Sequence, residues 1–524
     1  MHSSTPRRSE RPRPIRPGGA PRLARPARAA TAAAVLPRIL PLLVAVIMGP
    51  MAPSPHPELS EAHGEARDEV VLQMHDRAGR RLGWDAFRSL QENGRGEAGD
   101  NDVLLDPRTL TVIEPGPLYP ATGRGDSDPA VAWPGRPAAL ALAWPTTHGY
   151  SNLIVDLPGP GRYDLGMLAA QQSGAALERA LAERPDYRPS PTFRRAHARE
   201  RTLLAEAAGA PPRTRGGLAV RALDAAVDAS LRLLSEYGLE RAARTGGRGL
   251  QWGFTLDSVQ DAPRTLRSVA ELASGDGWVR IVFDREEPPE AYRAAVGLAH
   301  RLGVRVVGQI LDSSQMKDVG LGAWRDRVAR YVAALPDVDE WEVGNEVNGS
   351  WLGRDVGAKL AYAARHVREH TTARTLLTLY WQLGEDEPRS SMFEWASRNL
   401  APELVGDIDD IGISLYPEDH PMGLALDRVL TTLHERFPAQ RVLISELGYW
   451  SADLGHTWWW GSRRDPQGGR VAVAWLYQSA ILGYPFSGGG TYWWYFRQEA
   501  LGPTPLRRVF ASLHRRAAGG DHAG

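Results

Sequence analysis

Cysteine occurs nowhere in the 524 residues, which excludes disulfides, thiolate metal sites, thiol nucleophiles and lipidated cysteine anchors together. Lysine is nearly absent too: Lys317 and Lys359 accompany sixty arginines, a skew that reads as the codon bias of a GC-rich genome and says little about function. Net charge is missing, because 62 basic and 62 acidic residues cancel. The balance is uneven along the chain. Residues 1–58 hold nine Arg against Glu10 and Glu58, a surplus of +7 that leaves −7 on the remainder. An acidic remainder argues against a nucleic-acid or polyphosphate partner, which would call for a basic face. With 43% hydrophobic and 24% charged residues, disorder over most of the length is excluded, and there is room for two or three domains.

Long apolar runs are also scarce. Residues 7–28 are rich in Arg and Pro and cannot fold, and Val35 to Met48 then form an apolar run interrupted by Pro37, Arg38 and Pro41. The part after Arg38 has the length of a signal-peptide core and is short for a ~30 Å hydrocarbon layer. Residues 1–58 are therefore expected to be a basic leader with an export signal, giving a secreted or cell-envelope protein. An uncleaved anchor that tethers the chain to a membrane, or a misassigned start upstream of Met48, are the alternatives. Arg7-Arg8 lacks the apolar neighbours of a twin-arginine signal.

The rest of the chain shows three kinds of pattern. From 59 to 161 short strand-like runs (Val70 to Met74, Val103 to Leu105, Leu110 to Ile113, Ala138 to Trp144, Asn152 to Leu157) are separated by Pro and Gly, which predicts a small β-rich, sandwich-like domain. From 162 to 245 the period is helical, with Leu223, Val227, Leu231 and Leu234 on one face and Gly238 placed to end that helix, a segment expected to pack against the C-terminal domain. From 246 to 524 a strand-like run alternates with a helix-like run eight times. The strands read at Gln251 to Thr255, Val279 to Phe283, Val304 to Ile310, Trp341 to Gly344, Thr375 to Tyr380, Ile411 to Ser414, Val442 to Ser445 and Gly490 to Trp494. Eight β-then-α units predict an α/β fold, a closed (β/α)8 TIM barrel. A doubly wound open sheet would want a Gly-rich phosphate loop after its first strand, and Thr255-Leu256-Asp257-Ser258 offers none.

In such a barrel the chemistry sits at the C-terminal ends of the strands. Glu346 ends the fourth, in Trp341-Glu342-Val343-Gly344-Asn345-Glu346, and Glu446 ends the seventh, in Val442-Leu443-Ile444-Ser445-Glu446. Strands four and seven face each other across the mouth, and paired carboxylates are the machinery of glycosidic bond cleavage. A single Glu there could equally cap a helix or pair with an Arg; two at matching strand ends favour catalysis.

The segment from about Gly249 to Arg516 resembles the large clan of retaining glycoside hydrolases built on the TIM barrel. The resemblance implies Glu346 as acid/base with Asn345 on the sugar 2-hydroxyl, Glu446 as nucleophile, Arg280 beside it, and Tyr416 as its hydroxyl donor. It also implies a tryptophan floor under the sugar, from Trp493 or Trp494. Many members of the clan carry His two residues before that Tyr, and this chain has Ser414. The runs around Gly344-Asn345-Glu346 and Ile413-Ser414-Leu415-Tyr416-Pro417 are similar to those of β-1,4-galactanases. The neighbours fit the division of labour, since a cation and a donor at Glu446 lower its pKa, while apolar Val347 and nearby Trp351 raise that of Glu346.

Fourteen of the seventeen Trp lie after residue 250, as expected of a carbohydrate cleft. Trp351, Trp381, Trp450 and Trp458-Trp459-Trp460 follow strand ends, whereas Trp324, Trp395 and Trp475 fall on helices and suit a core. Gln309, Tyr380, Trp381 and Gln382 are further ligand candidates, and Glu418, Asp419 and His420 either touch sugar or cap a helix. Asp407, Asp409 and Asp410 precede a strand at the opposite face and read as a solvated loop rather than a metal site. No H-E-x-x-H, G-x-S-x-G or P-loop occurs, so neither metal nor organic cofactor is expected. The expected partner is a β-linked glycan, bound by a monomer. A non-catalytic carbohydrate-binding barrel is the rival reading.

Overall fold

The structure, a computed structural model, describes residues 68–90, 102–121, 127–274, 276–385, 387–449 and 466–519. The expected export segment, Trp450 and Trp458 to Trp460 lie outside the described residues. No helix among the described residues is long and apolar enough to cross a membrane.

Eight parallel strands close on themselves in sequence order: Gln251–Leu256, Trp278–Val282, Arg305–Gln309, Glu340–Gly344, Arg374–Tyr380, Asp410–Leu415, Arg441–Leu447 and Ser487–Trp493, the first to eighth barrel strands. Each lies within a few residues of its expected position, because a strand buried on both faces reads as an unbroken apolar run bounded by turns. The eighth is the least typical, opening with Ser487-Gly488-Gly489-Gly490. A Cβ on Gly489 would stand 2.3 Å from the Gln251 carbonyl oxygen and one on Gly490 2.4 Å from that of Ile444, and both glycines have positive φ. Glycine is what lets this strand close the barrel between its two neighbours.

The lower interior is polar and internally paired. Tyr492 donates to Gln251 at 2.6 Å, Gln251 donates to Glu340, and Arg441 and Arg374 hold Asp410 at 2.7 and 2.8 Å. Burial, then the charge of Asp410, push the Glu340 carboxyl well above its ordinary range. Asp409 pairs with Arg368. The aspartates expected to be a loop cluster thus include one buried structural anchor.

Ahead of the barrel the described residues form two sheets. One is five-stranded, with Glu69–His75 pairing Arg81–Leu82, Pro129–Ala132 and Gly161–Asp164, and Leu118–Pro120 at its edge; the other is four-stranded, ordered Val112–Pro115, Asp102–Leu105, Ala139–Thr146, Gly149–Asp156. The short edge strands were not legible as alternation, having only two to four residues each. Three helices come next, Leu165–Ala182, Pro191–Gly209 and Pro212–Thr245.

The third of these helices corrects an expectation. Gly238 does not end it; the helix runs on to Thr245 and stops at Gly246, whose left-handed φ of 61° closes the last turn. Gly238 is instead a contact point. A Cβ there would stand 1.9 Å from the Ser479 carbonyl oxygen, so glycine lets this helix lie directly against Pro466–Ala480, an outer helix of the barrel. Sequence periodicity cannot separate a terminating glycine from one required by close approach.

Candidate active site

The fourth barrel strand ends in a strained turn that aims Glu346 into the mouth. Its φ of 50° is left-handed, which costs a non-glycine residue on the order of 1–3 kcal/mol and persists only where the surroundings enforce it. Here the Glu346 carbonyl accepts from Gly349 N at 2.9 Å and Val347 N donates to Thr378 O at 3.0 Å. Ser313, in the loop after strand three, donates to Glu346 Oε2 at 2.6 Å, and Ser414 on strand six donates to Oε1 at 2.7 Å. No cation touches this carboxyl among the described residues. Burial, then the charge of Glu446, raise it to about 8, against the pull of the two serine hydroxyls.

Glu446, from strand seven, has different company. Arg280 Nη1 lies 2.8 Å from its Oε2, Tyr416 Oη donates to Oε1, and Asn345 Nδ2 stands 3.4 Å from Oε2. The net direction corrects the expectation of a lowered pKa: burial lifts this carboxyl above its ordinary value, although Arg280 and then Tyr416 pull against it. Glu446 is therefore the member of the pair with a cation and a donor to hold its charge. The Tyr416 hydroxyl is pushed well above its ordinary value by burial and by Glu446, which keeps it a donor.

Beneath the pair sits a residue that the sequence motifs did not mark. Glu342 takes Arg280 Nε at 2.6 Å and Nη2 at 3.1 Å, accepts from Thr378 at 2.6 Å, and lies 3.4 Å from Asn345 Nδ2. Arg280 thus bridges two buried carboxylates and cannot swing away from Glu446. Alternation along Trp341-Glu342-Val343-Gly344 places Glu342 on the inner face, a signal that was available. Ser313 gave no such signal, because its place is set by a loop.

Of the two tryptophans expected as a floor, one lies at the mouth. Trp494 is partly exposed and its ring lies 5.6 Å from the Arg280 guanidinium. Trp493 points the other way. It is fully buried, its ring 5.7 Å from Phe510 on the helix Pro505–Ala517, and it donates to Glu499 at 2.9 Å. Trp381 is buried and donates to His420 O at 2.9 Å. Gln309 is fully buried at the end of strand three, with no hydrogen-bond partner on either amide atom among the described residues. Trp351 is partly exposed beside Tyr380. Trp324 is a core residue, whereas Trp395 and Trp475 are only partly buried. Asp419 N and His420 N both donate to Tyr416 O in a tight turn. Among the described residues no group of three or more His, Asp or Glu is arranged to hold a metal ion.

The fold and the mouth together define a (β/α)8 barrel with two unlike buried carboxyls at the ends of strands four and seven. Neither a family model nor a curated protein matches the sequence. Among solved structures, a GH113 β-1,4-mannanase aligns at 13% identity and a TM-score of 0.36, over 51% of this chain and 99% of that one. An endo-1,4-β-xylanase of Penicillium canescens aligns at 14% and 0.37, over 55% and 98%. A GH5_18 protein from Streptomyces cattleya, in complex with GlcNAc, aligns at 15% and 0.37, over 52% and 82%. These neighbours are glycoside hydrolases; the barrel assignment itself rests on the strand pairing.

Proposed function

We propose that the chain is a retaining glycoside hydrolase that cleaves a β-linked polysaccharide or oligosaccharide by double displacement. The observation that carries this reading is the contrast between the two carboxyls: Glu446 held by Arg280 and Tyr416, Glu346 held, among the described residues, by two serine hydroxyls and raised to about 8. Two buried carboxyls with unlike partners, one beside a guanidinium and a phenol and the other between two serine hydroxyls, suit acid-plus-nucleophile chemistry.

In the first step Glu446 attacks the anomeric carbon, the bond to the leaving oxygen breaks, and that oxygen takes the Glu346 proton. Glu346, now a carboxylate, then removes a proton from water, which attacks the same carbon and frees Glu446. Arg280 neutralises the Glu446 charge between turnovers, and Tyr416 fixes its orientation. The Asn345 amide, which already faces Glu446, is placed to bond the sugar hydroxyl next to the anomeric carbon. Trp494 serves as the floor. The basic leader and apolar run before residue 58 support export to the medium or the envelope, where such polymers occur.

Reducing-sugar release from β-galactan, β-mannan, β-xylan, β-glucan and arabinogalactan tests this reading, with Glu446→Ala as control. Release on at least one polymer, lost in the variant, is expected. Retained binding without release would instead make the barrel a carbohydrate-binding protein.

A further inference from the structure

The loop after strand four, the last residue of strand five and the loop after strand six place three partly exposed rings in an edge-to-face array. Trp351 and Tyr380 stand 5.3 Å apart at 84°, and Tyr380 and His420 5.5 Å apart at 83°. The register ties this array to the reacting centre. Tyr380 pairs with Ser414, and Ser414 pairs with Glu446, so the three form one rung at the mouth; Ser414 points inward to Glu346, and paired residues share a face. The array therefore flanks Glu346, whereas Arg280 and Trp494, from strands two and eight, flank Glu446.

Its supports are built in. Asn348 accepts from Tyr380 N at 2.6 Å and donates to Tyr380 O at 2.9 Å and Ser390 O at 2.7 Å, and Trp381 holds the His420 carbonyl. The last support comes from outside the barrel. Asn152, buried on the sheet strand Gly149–Asp156, donates from its backbone to Met422 O at 3.1 Å, in the loop of His420. Its Nδ2 reaches Glu385 Oε1 at 3.4 Å in the loop after strand five, where Glu385 also accepts from Leu383 N at 3.0 Å. Gly423 lies against Ser151 so closely that a Cβ would stand 2.2 Å from its hydroxyl.

Resting on the hydrolase reading, we propose that Trp351, Tyr380 and His420 form a subsite for a pyranose ring on the leaving-group side of the cleft, and that Asn152 is a positioning residue that ties together two of the loops building it. The leaving oxygen must depart toward its proton donor, which is Glu346, so the sugar attached to it lies over this half of the mouth. Mutually perpendicular rings offer faces and edges to the C–H face of a sugar while the surrounding carbonyls and amides stay internally paired.

The test compares two substrates differing only on that side: β-1,4-linked tetrasaccharides of mannose, xylose, glucose or galactose, and the matching disaccharide β-fluorides, whose leaving group is a single atom. Trp351→Ala and Asn152→Ala are each expected to lower kcat/KM for the tetrasaccharide about tenfold more than for the fluoride. Trp351→Phe, which keeps a ring, should recover most of the tetrasaccharide rate, which separates lost stacking from misfolding. Equal losses on both substrates, or no loss on either, would overturn the subsite alone. Wild-type silence on all eight compounds would overturn the hydrolase reading and the subsite with it.

Discussion

At the residue scale the site works by giving two identical side chains different surroundings. In the proposed mechanism Glu346 acts as the acid, because burial and a neighbouring carboxylate raise it to about 8 and no cation among the described residues opposes them. Hydrolysis should therefore fall as pH rises through about 8, and the alkaline limb of kcat/KM measures it. The same shift bears on stability. A carboxyl whose folded pKa exceeds its unfolded one stabilises the fold fully below the unfolded value, near 4.5, and that contribution is lost as pH rises through the folded value. Glu346→Gln should thus gain stability over the wild type between pH 5 and pH 9, on the order of 3 kcal/mol. Urea midpoints at the two pH values check this, and an unchanged difference would contradict the assigned burial.

Arg280 is the second residue whose removal has a calculable sign. It is fully buried and paired with Glu342 and Glu446 together, so Arg280→Ala leaves two interior carboxylates without a cation. Breaking a buried pair from one side costs about 3–5 kcal/mol, and this variant should show that loss in its denaturation midpoint as well as loss of turnover. Arg280→Lys should not restore the rate, since one ammonium cannot replace a planar fork that reaches both acids.

At the scale of elements, the sequence was most readable where an apolar run ends abruptly in a polar residue. Glu346 and Glu446 could be placed because barrel strands are buried on both faces and their ends coincide with the mouth, whereas Arg280 and Tyr416 came from the resemblance to the glycoside hydrolase clan. Direction around a turn or across a close contact was not legible in the same way. Trp493 and Trp494 are adjacent and chemically equal, and only the turn after strand eight sends one into the outer core and the other to Arg280. Ser313, which contacts Glu346, and Asn152, which contacts the loops after strands five and six, come from segments far apart in sequence from their partners, and no local pattern marks them. Gly238 is the same lesson in a helix. Alanine is the better helix former by about 1 kcal/mol, yet Gly238→Ala should destabilise the protein, by about 1–3 kcal/mol, because the new methyl meets the Ser479 backbone. A raised melting temperature would contradict the contact.

At the scale of the whole molecule, the β-rich region and the barrel are joined by more than a linker. Arg428, on an outer barrel helix, donates to Pro107 O at 2.6 Å and Ile154 O at 3.3 Å and pairs with Asp156 at 2.9 Å, beside the Asn152 contacts. The long helix Pro212–Thr245 lies on the barrel's last helices, and residues 61–524 form one compact unit. Calorimetry should accordingly show a single cooperative transition for this part of the chain; two well-separated transitions would mean that the contacts contribute little.

The proposed mechanism stands on Glu446 forming a covalent bond to sugar while Glu346 handles the proton. Peptide mass mapping addresses this bond itself, after incubation with 2-deoxy-2-fluoro-β-glycosyl fluorides of the gluco, manno, galacto and xylo series, which slow breakdown of a glycosyl-enzyme. One added sugar mass is expected on the peptide containing Glu446, absent in Glu446→Ala. A sugar mass on Glu346 or any other residue would contradict the mechanism.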